Sequence, residues 1–133
     1  MNAQRVSVAV IGASGYTGVE LLRLLARHPH VDLVAVAAKR AAGRRIDDVF
    51  GNLRGVLDLM VEEFDAASIA ARAQVAFCAL PHGESAPIVA DLVARGVRVF
   101  DLSADFRLHD EAAWQQWYAH EAGAPHPASA LLA

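Results

Sequence analysis

Val6-Ser7-Val8-Ala9-Val10-Ile11-Gly12-Ala13-Ser14-Gly15-Tyr16-Thr17-Gly18 is the stretch that decides the fold. A short apolar run rich in valine reads as a buried strand. It passes directly into a turn with a glycine at every third position. Beyond the turn, Val19, Leu22 and Ala26 form one apolar stripe with Leu21 and Leu25 beside it, which predicts a helix over Val19–Arg27, stopped by Pro29. Strand, glycine turn and helix in that order make a dinucleotide site. Gly12 permits the tight turn, Gly15 lets the backbone come close to a pyrophosphate, and Gly18 lets the helix pack closely on the strand. The helix start adds free N–H groups and a partial positive charge. The spacing is G-x-x-G-x-x-G, a variant of the commoner G-x-G-x-x-G. The competing reading is a plain strand–turn–helix junction whose glycines serve packing alone.

Composition narrows the classes. The 133 residues are enough for one domain with a core, and 55% are hydrophobic. A net charge of −3 gives no basic footprint for nucleic acid. No apolar run approaches the roughly 20 residues of a membrane span, and the first residues lack the pattern of a signal peptide. The single cysteine, Cys78, excludes an internal disulfide and a cysteine-rich metal cluster. The histidines show no metal spacing. The expectation is a cytoplasmic protein without metal, membrane or nucleic-acid partners.

Further along, strand and helix patterns alternate. Strands are expected at Leu33–Ala37, Leu57–Glu62, Val75–Leu80 and Val97–Leu102, and helices at Ala66–Arg72, Ser85–Arg95 and Glu111–Glu121. A short helix is expected around Asp47–Phe50 within an irregular Ala41–Gly55. Ser85 is placed as the cap of its helix, with Pro87 tolerated in the first turn. The alternation implies a Rossmann-type, doubly wound, mostly parallel sheet with helices on both faces. Ligands of such sheets sit beyond the carboxyl ends of the strands. The loops to watch are therefore Gly12–Gly18, Ala38–Arg45, Pro81–Ser85 and Ser103–Arg107.

Those loops carry particular chemistry. After the second strand come Lys39 and Arg40, then Arg44 and Arg45, where an NAD site would place a carboxylate on the ribose. Cations there favour a 2′-phosphate and hence NADP. His82 can hydrogen-bond a ligand or the backbone. Cys78 lies in an apolar strand and reads as a small buried hydrophobe. Asp101-Leu102-Ser103-Ala104-Asp105-Phe106-Arg107 brings Ser, Asp and Arg to the ligand edge. Arg107 suits an oxyanion or phosphate through its guanidinium fork, or pairs with an aspartate to lock the loop.

Together the glycine turn continuing into Val19-Glu20-Leu21, the segment Ala79-Leu80-Pro81-His82-Gly83-Glu84-Ser85, the loop Val49–Gly55 and Asp101–Arg107 resemble the N-acetyl-γ-glutamyl-phosphate reductases. The resemblance runs from Val6 to about Tyr118. It implies NADPH-dependent reduction of an acyl phosphate to an aldehyde in arginine biosynthesis, through attack by a cysteine thiolate. It implies that Gly12, Ser14, Gly15, Tyr16, Thr17 and Gly18 hold the pyrophosphate side of NADP and that Lys39 and Arg40 hold the 2′-phosphate. Pro81 and His82 would lie along the cofactor, and Ser103 and Arg107 would face the substrate. A homo-oligomer is also expected. The nucleophile's Asn-Pro-Gly-Cys-like segment is missing, as is the family's later histidine. Residues 1–133 then correspond to an NADP-binding domain cut before the catalytic cysteine, with the substrate domain absent and no catalytic residue of its own.

Three alternatives stay open at this level. One is a stand-alone, non-catalytic NADPH-binding module, which the missing nucleophile favours. Another is a short-chain dehydrogenase, whose Tyr-x-x-x-Lys pair is absent because Lys39 is the only lysine. The third is the cofactor domain of a related semialdehyde dehydrogenase, which Ser103–Arg107 fits less well.

Overall fold

The alternation is realised as five parallel strands. The computed structural model describes residues 4–118; the last three residues of the expected Glu111–Glu121 helix, and Ala122 onward, lie outside them. In chain order the elements are β1 (Val6–Ile11), α1 (Tyr16–Leu25), β2 (Val31–Ala37), α2 (Ile46–Val49), a 3-10 turn (Gly51–Leu53), β3 (Val61–Glu62), α3 (Ala66–Arg72), β4 (Val75–Cys78), α4 (Ser85–Ala94), β5 (Arg98–Asp101) and α5 (Glu111–Tyr118). The sheet order is β3-β2-β1-β4-β5, and every neighbouring pair is parallel. The chain therefore winds outward from β1 through β2 to β3, then returns to place β4 on the other side. Connections leave β1 and β4 in opposite directions, and a crevice opens at their carboxyl ends.

The central strands are buried on both faces, so they read as continuous apolar runs. Val10, Val36, Leu22, Ile46 and Leu53 form the core on the side of α1 and α2. Ala9, Ala35, Ala37 and Ala76 face the other way, against Ile69 of α3 and Leu92 of α4. Alanine on this second face lets the helix side chains reach the sheet directly, which accounts for part of the high alanine content.

Element boundaries differ from expectation for local reasons. The helix after the glycine turn begins at Tyr16, not Val19, because first-turn N–H groups need no intrahelical partner; Tyr-Thr-Gly can therefore serve as its first turn. The strands expected to end at Leu80 and Leu102 stop at Cys78 and Asp101, although Ala79 N still donates to Ile11 O and Leu102 N to Cys78 O. Of Leu57–Glu62 only Val61–Glu62 joins the sheet. Segment 59–61 instead meets residues 43–46, with Ile46 N donating to Leu59 O and Val61 N to Arg44 O. The Asp47–Phe50 helix is found one residue earlier, and Ala66–Arg72 is found as expected. Ser85 is not the cap of α4. It is the first helical residue, and its hydroxyl is turned toward Asp101.

Gly18 is the tightest point between α1 and the turn. A Cβ there would lie 2.5 Å from Ala13 Cα and 2.7 Å from its carbonyl carbon, both backbone atoms that cannot swing away. Replacing a helical glycine by alanine ordinarily gains up to about 1 kcal/mol. Overpacking typically costs about 1–3 kcal/mol, and any retreat of α1 also uncovers Leu22, which is wholly buried. Gly18→Ala is therefore expected to destabilise the fold by about 1–2 kcal/mol in urea denaturation. A midpoint equal to or above wild type would show that α1 has room the structure does not reveal.

Candidate dinucleotide groove at the strand ends

The groove begins where β1 ends. Gly12 has φ +82, a conformation open to glycine, and its N–H donates to Ala37 O of β2 at 2.8 Å. A Cβ at Gly12 would stand 2.7 Å from Ala79 O and 2.8 Å from Leu80 Cδ2, so the turn lies directly against the chain leaving β4. Above this contact is a cleft of about 510 Å³, bordered by Gly12, Ser14, Gly15, Lys39, Arg40 and Pro81 among others. It continues into an apolar recess of about 330 Å³, whose walls include Phe64, Leu80, Pro87 and Ile88. Both compartments share Gly12, Ala38, Lys39, Leu80 and Glu84. A polar arm joined to an apolar one is the shape needed for a phosphate-bearing ligand with a flat base.

Gly15 tests the fit to such a ligand. Its φ of −96 is open to any residue, and a Cβ there would meet nothing within 4 Å. Neither backbone conformation nor protein packing accounts for glycine at this position. Close approach of a bound group does, since a side chain would occupy that space. Gly15 also stands at the N-cap of α1 with no side-chain cap, leaving the first-turn N–H groups for an anion.

The cations behind β2 divide into two sets. Arg45 is held by Asp47 at 3.1 Å and Asp58 at 2.9 Å, and Arg44 donates to Asp48 O. Lys39 and Arg40 are exposed on the cleft border, and among the described residues neither forms an ion pair. The charge that stays uncommitted therefore sits at the groove. Tyr16 and Thr17 do not line it. Tyr16 is 96% exposed, and both flank a separate shallow depression with Leu24 and Leu102. Gly18 is covered by Ala13.

The loops after β4 and β5 are bound to each other. Asp105 is fully buried, and its carboxylate accepts Gly83 N–H at 2.7 Å and Ala86 N–H at 3.0 Å. Asp101 accepts the hydroxyls of Ser85 at 2.7 Å and Ser103 at 2.8 Å, plus Ser103 N–H at 3.0 Å. His82 Nδ1 accepts Ala104 N–H at 3.2 Å, which leaves Nε2 to carry the ring's donor in the neutral form. The ring meets Tyr118 edge-on, with centroids 5.1 Å apart. Trp114 is buried and donates to Ala104 O, whereas Trp117 is largely exposed. Ser103 is buried with its hydroxyl also accepting Asp105 N–H. Arg107 is exposed, and among the described residues its side chain reaches its own loop, through Nη2 to Ser103 O at 3.4 Å. No aspartate pairs with it among the described residues. No local pattern marks the anchoring role of Asp101 and Asp105, because their partners lie up to 22 residues away in sequence.

A family model described as the NAD-binding domain of semialdehyde dehydrogenases matches residues 7–122. This chain belongs to that family. It is 50% identical over 128 residues to an N-acetyl-gamma-glutamyl-phosphate reductase of Nitrosococcus oceani, covering 96% of this chain and 36% of the relative. A reductase of the same name from Saccharophagus degradans is 42% identical over 120 residues, covering 90% of this chain and 34% of the relative. The chain thus spans about a third of the length of these relatives. Aspartate semialdehyde dehydrogenase from Candida albicans, solved with NADP, superposes with a TM-score of 0.72 at 23% identity, over 81% of this chain and 32% of that one. The likeness confirms the doubly wound fold.

In this semialdehyde dehydrogenase domain the thiol is inert by placement. Cys78 ends β4 within the core, and burial, helped by the nearby Asp101 charge, pushes its pKa from about 9 up to about 12. An acid whose pKa is raised on folding favours the folded state only below the unfolded pKa. Stability should hold up to about pH 9 and then fall toward pH 12, by at most about 1.4 kcal/mol per pH unit from this group. Urea denaturation of wild type and Cys78→Ala between pH 8 and 10.5 checks this. Parallel pH profiles for the two proteins would exclude Cys78 as the source.

Proposed function

We propose that this chain is the NADP-binding part of a cytoplasmic, homo-oligomeric N-acetyl-γ-glutamyl-phosphate reductase, which reduces that small acyl phosphate to the semialdehyde. The likeness to reductases of that name along nearly the whole chain is the observation that carries the reading. The groove supports it independently. Gly12, Ser14 and Gly15 form a cradle of glycine backbone and one hydroxyl beside the α1 N-terminus, suited to the pyrophosphate. Gly18 sets the approach of α1, and Tyr16 and Thr17 contribute main-chain N–H groups of its first turn. Lys39 and Arg40 offer two uncommitted cations to the 2′-phosphate, and Pro81 forms the opposite wall. His82 lies just beyond it and steadies the loop. The apolar recess around Phe64 and Ile88 suits the adenine ring.

When bound, NADPH supplies the hydride. Arg107 receives the substrate's phosphoryl group, with Ser103 setting its approach through the main-chain carbonyl that the guanidinium already touches. The thiolate that such a reaction needs is not Cys78, which is buried and held neutral.

The cofactor reading is tested by titrating this chain with NADPH and NADH. NADPH should bind more tightly. Arg40→Ala should weaken NADPH by about 1.5–3 kcal/mol, a tenfold loss or more, and leave NADH nearly unchanged. Equal affinity for the two cofactors in wild type would refute the 2′-phosphate assignment. For Arg107, which no carboxylate among the described residues holds, Arg107→Ala should leave NADPH affinity and Tm nearly intact while kcat/KM for the acyl phosphate collapses in the complete reductase. A large drop in Tm with unimpaired turnover would make Arg107 a structural residue.

A further inference from the structure

Asp105 presents a problem that the cofactor groove does not explain. It is a wholly buried carboxylate, and among the described residues no cation pairs with it. Burying such a charge is costly even after relaxation. Charge-assisted bonds from Gly83 N–H and Ala86 N–H offset that cost, as does the positive end of the ten-residue helix α4. A neutral serine or asparagine on the helix itself would satisfy a helix start with far less desolvation. What a carboxylate from another loop adds is a bridge. One of its oxygens holds the Pro81–Glu84 loop, and the other holds the first turn of α4. Two more bonds cross the same gap, from Ser85 to Asp101 and from Ala104 to His82.

The two loops so joined face different ligands. Leu80, Pro81 and Glu84 border the cleft that we assign to NADP, whereas Ser103–Arg107 carries the guanidinium assigned to the substrate's phosphate. We infer that Asp105 is a positioning residue that locks these loops into one unit, so that cofactor in the groove orders the Arg107 loop. By linkage, phosphate held at Arg107 strengthens cofactor binding to the same degree. The inference rests on the cofactor reading above.

Site-resolved amide exchange of this chain, with and without NADPH, separates the two ideas. The reporters are the N–H groups of Ala104, Asp105 and Arg107, all hydrogen-bonded within or onto the loop and none bordering the cleft. His28 N–H, bonded to Leu25 O at the far end of the sheet, corrects for global stabilisation. In wild type NADPH should slow exchange in Gly12–Gly18 and slow the three loop reporters by about fivefold or more beyond His28. Asp105→Asn should keep the response of the glycine turn and lose that of the loop. Asp65→Ala removes the cap on α3, where Asp65 accepts Ser68 N–H at 2.7 Å, and should keep both responses despite lower stability.

Slowing at the glycine turn without slowing at the loop in wild type would overturn the inference and leave the cofactor reading standing. So would an undiminished loop response in Asp105→Asn. Absence of any response at Gly12–Gly18 would instead remove the cofactor reading and the inference with it. If Asp105→Asn does not fold, Asp105→Ser takes its place, because a single short hydroxyl cannot hold both Gly83 N–H and Ala86 N–H. A loop response equal to wild type in that variant would overturn the inference.

Discussion

The close approach of Gly12 to Ala79 is the contact on which the site depends. Parallel neighbours β1 and β4 send their chains away on opposite faces, so their ends tend to splay. Gly12 keeps them together at the base by turning with positive φ and placing bare backbone against the chain leaving β4. Ala79 N–H to Ile11 O closes the same point from the other side. Any side chain at Gly12 would meet a carbonyl oxygen at 2.7 Å and fill the floor of the cleft at once. Fold and groove are therefore one constraint, and the strand order that creates the crevice also sets its width.

Two carboxylates, Asp105 buried and Asp101 partly buried, supply the second layer. Asp101 and Asp105 sit where β5 delivers the chain, and hydrogen bonds rather than cations satisfy both. This determines where an anion can go. Two helices, α1 and α4, point their N-termini at the ligand edge, and each would attract a phosphate. At α4 the Asp105 carboxylate already occupies that position. At α1 the N-cap is glycine, and among the described residues no side chain caps it. A phosphate arriving between the helices is accepted by one and repelled by the charge at the other.

The sequence shows clearly what depends on near neighbours and poorly what depends on distant ones. The glycine spacing after an apolar run exposed β1, the turn and α1. The valine and leucine runs exposed β2, β4, α4 and β5. Leu57–Glu62 misled because its apolar residues serve the small core around α2, and its backbone turns to meet residues 43–46. Ser85 looked like a cap because capping is judged from the next three residues. The actual anchor comes from Asp105, beyond a whole helix and strand, and no local pattern marks it. Lys39 and Arg40 were visible as cations. Their difference from Arg45 was not, since it depends on Asp58, which the fold alone brings within 2.9 Å of Arg45.

That difference shows how the fold directs charge. Four basic residues lie within seven positions after β2, and alone they would make a diffuse positive loop. Asp47 and Asp58 neutralise Arg45, and Arg44 is turned to the carbonyl of Asp48. Lys39 and Arg40 are left, both on the cleft border. Uncommitted surface cations cost little to maintain because water solvates them. They gain most when a multiply charged group replaces that water at short range. A 2′-phosphate offers such a group and a ribose hydroxyl does not. Glu84, at the α4 N-cap, is the carboxylate on this rim, and among the described residues the Lys39–Arg40 loop brings no carboxylate to the cleft border for an unphosphorylated ribose. The proposed preference for the phosphorylated cofactor thus rests on what the neighbouring aspartates take out of the loop as much as on the cations that remain.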